Sequence, residues 1–250
     1  MTIYKGGQNI CGATIGVLCL ESYFPKPPGH IKNPSGLPFP VLYEMIDGVT
    51  VPDLLNNPTP ELLEPFLKGA KKLQGEGVRA ITGSCGFLAL FQKELSAAVD
   101  IPVFASSLIQ VPLAFHMTGA SAPVGVLTAN AGALTAAHFD AVGAGGIPVA
   151  IQGLEDSTEF AEVILKYQRT AMDTDLIESE VIAAAQKLVS GAPDIRSLVL
   201  ECTDLPPYAS RLQHELGLPV FDLTTLATMA HNVVTREHYF GFMPLYKRRD

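Results

Sequence analysis

Val78-Arg-Ala-Ile-Thr-Gly-Ser-Cys85 and Ile195-Arg-Ser-Leu-Val-Leu-Glu-Cys202 decide how this chain is read. Each opens on a β-branched residue and an arginine, continues as an apolar strand pattern and ends on a cysteine. The cysteines are 117 residues apart (202 less 85), and the same offset carries Ile101-Pro-Val-Phe104 onto Leu218-Pro-Val-Phe221. Upstream, Gly16-Val-Leu18 returns as Gly125-Val-Leu127 at an offset of 109, so the halves differ by an insertion. A repeat that holds over three separate elements points to duplication. It predicts an N-terminal lobe over residues 1–117 carrying Cys85 and a C-terminal lobe over 118–250 carrying Cys202, with the chain end able to cross back to the first lobe.

Around this repeat, short apolar runs (Ile15–Leu20, Val78–Thr82, Pro102–Phe104, Val124–Leu127, Pro148–Ile151, Leu198–Leu200, Pro219–Phe221) alternate with helical patterns. That rhythm belongs to an α/β protein, here two pseudo-symmetric lobes, each an open, mostly parallel sheet flanked by helices. Asp156 and Glu159 form a capping-box pattern, predicting a helix with Phe160, Val163, Ile164 and Tyr167 on one face. A second helix is expected from Thr174 as N-cap, with Ile177, Val181, Ala184 and Leu188 inward. A third carries Leu134, Ala137, His138 and Ala141, with Asn130 as a candidate cap and His138 as a core histidine. The proline-rich stretch from Tyr23 to Pro40 reads as a loop, either a lid over the cleft or an insertion packed on its own lobe.

The balance of 17 Lys+Arg against 25 Asp+Glu, a formal charge of −8, argues against a nucleic-acid partner. No run approaches the roughly 18 apolar residues of a membrane span, and Ile10–Leu20 lacks the flanks of a signal peptide. The expectation is a cytoplasmic protein with four free cysteines. Their spacing, 11, 19, 85 and 202, matches no metal-ligand motif, and no phosphate loop of the kind that holds pyridoxal phosphate is present, so neither metal nor cofactor is expected.

Ligands of open α/β sheets bind beyond the carboxyl ends of strands, where both repeated cysteines fall. Each cysteine is expected to open a helix, whose free N–H groups and dipole would lower the thiol pKa and hold a carboxylate. Inverting one carbon needs a base on one face and an acid on the other, and two pseudo-symmetric thiols, Cys85 and Cys202, meet that need. Gly86 and Phe87 follow the first thiol and are candidate substrate contacts, as are Thr128 and Asn130 at the end of the repeated first strand. Cys19, inside the first strand, and Cys11 before it read as structural.

On the motifs Ser84-Cys85-Gly86-Phe87 and Glu201-Cys202-Thr203-Asp204, and on the duplication, the sequence resembles the aspartate/glutamate racemase superfamily, which includes hydantoin racemases, maleate isomerases and arylmalonate decarboxylases. The likeness covers nearly the whole chain. It implies two α/β lobes, catalytic cysteines, no cofactor, a homodimer and a small carboxylate-bearing substrate. It further implies that Glu21 and Ser22 sit near the first thiol with Glu21 tuning Cys85, that Asp204 orients or deprotonates Cys202, and that Ser84 and Thr203 contact the substrate carboxylate. Family members often place glycine where this chain has Glu201, and amino-acid racemases place Asn-Thr where it has Gly86-Phe87. The implied activity is racemization or epimerization of an amino acid or related carboxylate by two-thiol proton transfer. Maleate isomerase-like chemistry is the nearest rival; hydantoin racemization and decarboxylation, a small-molecule binding protein and a thiol-redox sensor are further alternatives.

Overall fold

The computed structural model describes residues 3, 6–56 and 59–245. Among the described residues, eight strands form two four-stranded parallel sheets. The first contains β1 (Ile15–Cys19), β2 (Val41–Met45), β3 (Ala80–Gly83) and β4 (Val103–Phe104) in the order β2-β1-β3-β4. The second contains β5 (Val124–Thr128), β6 (Val149–Gly153), β7 (Leu198–Leu200) and β8 (Val220–Phe221) in the order β6-β5-β7-β8. The register repeats with the sequence: Gly16 pairs with Ile81, and Gly125 with Leu198, so the offsets of 109 and 117 read from the chain reappear as strand partners. The glycines at these equivalent positions leave room for neighbouring side chains. A Cβ on Gly16 would meet Leu73 at 2.9 Å, and one on Gly125 would meet Ile195 at 3.2 Å.

Helices α1 (Val51–Asn56), α2 (Leu63–Gly75), α3 (Gln92–Ala97) and α4 (Val111–Met117) belong by sequence to the first half. Helices α5 (Ala136–Ala141), α6 (Thr174–Gly191), α7 (Ala209–Leu216) and α8 (Leu223–Val234) belong to the second. Because side chains alternate along a strand, each sheet offers two apolar faces. Leu18 and Leu20 pack with Phe66 and Leu73 of α2. Burying a side chain such as Phe66 is worth about 1.5–3 kcal/mol, and Phe66→Ala would cost about 3–5 kcal/mol through the cavity it leaves. Ile15, Val17 and Cys19 face the other way, against Leu223 and Leu226 of α8. Reciprocally, Val111 and Ala114 of α4 join the cluster containing Val124 and Val126 of the second sheet. Each half therefore lends its last helix to the other.

Three local expectations need correction. The Asp156/Glu159 capping box does not form: the N–H groups of Thr158, Glu159 and Phe160 all donate to the Glu180 carboxylate of α6, each at 2.8 Å. The segment is one π-helical turn, Ala161–Leu165, and Tyr167 lies beyond it with φ 52°. The N-cap of α6 is Asp173, one residue before Thr174, although Ile177, Val181, Ala184 and Leu188 are buried as the pattern requires. Thr135, not Asn130, caps α5. Strand β2 falls in a stretch that the apolar runs did not mark.

The proline-rich segment neither lies open nor stays on its own lobe. His30, Ile31 and Phe39 are buried, and the Gly29 carbonyl accepts a hydrogen bond from Thr224 of α8 at 2.7 Å. It forms a wedge whose tip reaches the second half of the repeat.

Candidate active site

Both repeated cysteines end a buried strand at the junction of the lobes. Ser84 N–H donates to Leu18 O and Glu201 N–H to Leu127 O, equivalent bonds that tie each strand end to the neighbouring strand of its own sheet. Thr203 Oγ1 donates across the junction to Ser84 O at 2.7 Å, and Ser107 Oγ donates to Leu200 O at 2.5 Å. The result is a cavity lined from one side by Ser84, Cys85, Gly86 and Phe87 and from the other by Glu201, Cys202, Thr203 and Asp204. It is small, about 30 Å³, room for about one water molecule. Beyond it lies a larger outer cavity of about 310 Å³. Tyr167, stacked on Phe24 with ring centroids 6.0 Å apart, walls both.

The thiols are buried, 6% and 7% exposed, and burial pushes both up rather than down: Cys85 well above its usual range and Cys202 likewise, with nearby Glu201 and Asp204 adding to the effect. This overturns the expectation of lowered thiol pKa values. The helices that follow are short 3-10 turns, Gly86–Phe91 and Pro206–Tyr208, and the second begins four residues after its cysteine, so neither sulfur sits at the mouth of an aligned α-helical dipole. What remains of the idea is local: the backbone N–H of Phe87 works to lower Cys85 and that of Asp204 to lower Cys202, the same influence two residues on in each lobe, and burial outweighs both.

The two thiols differ in their partners. Cys202 Sγ–H donates to Asp204 Oδ2 at 3.5 Å. Asp204 Oδ1 accepts from His30 Nε2 at 2.9 Å, and His30 Nδ1 accepts the Lys32 backbone N–H at 2.9 Å. A ring nitrogen that accepts a hydrogen bond carries no proton, so His30 is neutral with its proton on Nε2, pointing at Asp204. Burial works to raise the Asp204 carboxyl, but the His30 hydrogen bond, the Lys26 ammonium and the Cys202 S–H outweigh it and hold the group below the usual range. Cys85 has no carboxylate within hydrogen-bond reach among the described residues.

Thr128 is fully buried and donates through Oγ1 to Glu201 Oε2 at 2.6 Å. Ser84 Oγ accepts the Leu20 N–H at 3.0 Å, so this hydroxyl is engaged with the backbone although the residue walls the cavity. Thr203 is likewise committed to Ser84 O. The N–H groups of Gly86 and Thr203 have no acceptor among the described residues and are equivalent donors on the two sides of the cavity. Glu21 is exposed and lines the outer cavity with Ser22, apart from the residues around Cys85. Asn130 lies outside the cavity wall, its Oδ1 accepting Ala133 N–H at 3.2 Å. Lys32 Nζ is tied to Leu20 O at 2.7 Å and Ser22 Oγ at 2.9 Å. His138 is buried, edge-on to Phe87, and its Nε2 has no partner among the described residues. Cys19 is buried, and burial lifts it to about 11. The four cysteines are free, and among the described residues no cluster of His, Cys, Asp or Glu is arranged to hold a metal ion. No described helix is long and apolar enough to cross a membrane.

His30 is the site residue that sequence reasoning missed. Its partner is 174 residues away, and no local pattern marks the pair.

No family model matches the chain. Among solved structures, arylmalonate decarboxylase superposes with a TM-score of 0.60 at 14% identity, covering 88% of this chain and 92% of that one. Allantoin racemase from Klebsiella pneumoniae gives 0.59 at 16% over 88% of each chain, and a glutamate racemase from Bacillus anthracis 0.56 at 18% over 88% of this chain and 82% of that one. The chain thus has the two-lobed fold of the aspartate/glutamate racemase superfamily, as the sequence resemblance implied. By sequence, it is 28% identical to a dimethylsulfoniopropionate lyase of Durusdinium sp. clade D, over 86% of this chain and 72% of the relative. It is 30% identical to dimethylsulfoniopropionate lyase 7 of Emiliania huxleyi, over 85% of this chain and 64% of the relative, and 29% identical to lyase 5 of the same organism, of which it spans 46%. These relatives and fold neighbours bear the names of enzymes, which supports an enzyme here.

Proposed function

We propose that this chain is a lyase that removes a proton from the carbon beside a carboxylate and expels dimethyl sulfide from the next carbon, with dimethylsulfoniopropionate as substrate. The observation that carries this reading is the inequality of the two thiols. Racemization needs each thiol to act as base in one direction and as acid in the other, so comparable partners are expected on both. Among the described residues, only Cys202 has a carboxylate acceptor, itself held by His30. Such a site suits a proton removed in one direction from a carbon whose neighbour carries a leaving group. The similarity to dimethylsulfoniopropionate lyases supports the same choice of substrate.

In this mechanism Asp204 takes the Cys202 proton as substrate arrives, and the cationic sulfonium offsets the cost of a buried thiolate. The thiolate removes the proton on the carbon next to the carboxylate. The C–H electron pair becomes the C=C bond of acrylate, and the C–S pair leaves with dimethyl sulfide. Cys202 is then a thiol again, and the proton held by Asp204 passes to water, giving acrylate, dimethyl sulfide and one proton. The charge that builds on the carboxylate during proton removal falls to the Gly86 and Thr203 N–H groups, donors fixed in place before the reaction. Cys85 stays protonated, since burial and Glu201 hold it there, and donates S–H from the opposite face. The small inner cavity requires a wall to move on binding, and Tyr167, half-buried between the two cavities in a left-handed conformation costly for an aromatic residue, is that wall.

The test is equimolar release of dimethyl sulfide and acrylate from dimethylsulfoniopropionate, abolished in Cys202→Ser. Release of neither would remove the lyase reading. Racemization is the second reading, favoured by the presence of two thiols on opposite sides of one cavity; it predicts α-proton exchange with inversion on an amino acid in deuterated water. A cytoplasmic location and a homodimer remain part of the proposal.

A further inference from the structure

Among the described residues, the cavity between the thiols is walled by two carboxyls, Glu201 and Asp204, and by no lysine or arginine. Asp204 is saturated by His30 and Cys202. Glu201 is not. Its side chain is fully buried, Oε2 accepts from Thr128, and Oε1 has no hydrogen-bond partner among the described residues. A buried acceptor left open inside a cavity is an unmet demand for positive charge or a donor. The carboxyl reaches across to the first lobe: a Cβ on Gly86 would lie 2.2 Å from both Glu201 O and Oε1, so only glycine leaves that oxygen its place beside the Cys85 loop. The rest of the lining combines Ser84, Cys85, Cys202 and Thr203 at the strand ends with apolar and aromatic side chains, among them Phe87, Tyr167, Ile164 and Leu165.

We propose that Glu201 is the counter-ion that selects a methylated onium group, and that it is the specificity-determining residue of this site. An ammonium group brings three donors that need three acceptors, whereas the described side chains of this cavity offer one open carboxyl oxygen, the Ser84 and Thr203 hydroxyls and the Asp204 carboxylate being engaged already. A methylated onium needs no acceptor for hydrogen bonds. Its methyls pack on apolar surface and its charge is attracted by aromatic faces and a carboxylate. An acidic amino acid would instead carry extra negative charge into a space that already holds two acids. Identifying the onium as dimethylsulfonium rests on the lyase reading; the counter-ion role itself does not.

The selection depends on pH. Burial raises Glu201 to about 7, against the lowering effect of the Thr128 hydrogen bond and with the Asp204 charge adding to the rise. The other titratable groups around it are Cys85 on the first-lobe loop, Cys202 and Asp204 on its own loop, and Tyr167 after the π-turn, with His30 and Lys26 behind Asp204. The carboxylate form, and with it the preference for a cation, is gained as pH rises through neutrality.

The test uses two unreactive isosteres, 3-(trimethylammonio)propionate and 4,4-dimethylpentanoate, the same carboxylate with an uncharged tert-butyl head, titrated calorimetrically into the full chain at pH 8. The wild type is expected to bind the onium at least about tenfold more tightly, and Glu201→Gln to bring the ratio close to one. Thr128→Val removes the bond that favours the carboxylate, so it should keep the preference at pH 8 but lose it at a higher pH than the wild type does; it carries the test if Glu201→Gln does not fold. A wild-type ratio near one, an unchanged ratio in Glu201→Gln, or no binding of either compound would overturn the proposal. Lyase turnover measured on the same preparations separates the two ideas: onium preference without turnover keeps the counter-ion and removes the lyase, and turnover without onium preference does the reverse.

Discussion

Replacing Asp204 by asparagine changes one atom and breaks the pairing in a way that follows from the hydrogen-bond directions. The His30 tautomer is locked by the Lys32 N–H, so its Nε2–H must meet an acceptor. The asparagine oxygen takes that place, and the NH2 group is left facing Cys202 Sγ, where the native carboxylate oxygen sits at 3.5 Å. A base becomes a donor, and the proton of a thiol already raised by burial has nowhere to go. General-base assistance is worth about 10²–10⁴ in rate, so kcat/KM for dimethylsulfoniopropionate should fall by that factor, about 3–5 kcal/mol of transition-state stabilisation. Shape is preserved and His30 keeps an acceptor, so thermal stability should change less, by the value of a hydrogen bond to a charged group, about 1.5–3 kcal/mol. Gas chromatography of dimethyl sulfide gives the rate, and a thermal melt gives the stability. A variant within threefold of wild type in kcat/KM would refute the role given to Asp204.

Further outcomes follow from the same contacts. His30→Ala removes the donor that helps hold Asp204 ionised, so the acid limb of the kcat/KM profile should move to higher pH and activity should drop about tenfold to a hundredfold; a pH–rate profile checks it. Gly86→Ala puts a methyl 2.2 Å from a backbone carbonyl that cannot swing aside, and should cost about 1–3 kcal/mol of stability together with most of the activity, read by melting and turnover. Glu201 is raised in the folded state, so the stability it contributes is full below about 4.5 and is lost as pH climbs toward about 7. Across that window the wild type should lose about 3 kcal/mol that Glu201→Gln retains, seen as melting curves that diverge with rising pH. Cys85 and Cys202 act in the same sense at alkaline pH, losing stability as pH rises past about 9.

The duplication was legible in the sequence because the central strands are buried on both faces, and burial restricts those positions to a few apolar residues that repeat recognisably. Strand β2 was not, since Val41–Met45 is a half-buried edge strand carrying Tyr43 and Glu44 directly after a run of prolines. The two cysteines stood out through the repeat, and Asp204 through its distance of two residues from one of them. His30 left no signal, because it reaches the site from a loop ordered by contacts with α8 and the Pro206–Pro207 turn. The direction of the thiol pKa shifts was also out of reach: a strand ending on cysteine and turning toward a helix suggests a dipole, while the depth of burial and the approach of Glu201 are tertiary facts. Tyr167 fitted a helical face by spacing, yet the π-turn before it ends the helix and sends the ring to the wall of the cavity.

The most direct test of the account is to give the purified chain dimethylsulfoniopropionate at pH 8 and quantify dimethyl sulfide and acrylate together, beside Cys202→Ser and Cys85→Ser. The account predicts the two products in equal amounts, none above background from Cys202→Ser, and a slowed reaction that still runs in Cys85→Ser, whose side chain keeps a donor. No dimethyl sulfide from the wild type, with α-proton exchange and inversion on an amino acid that both variants abolish, would contradict it and return the site to two-thiol racemization.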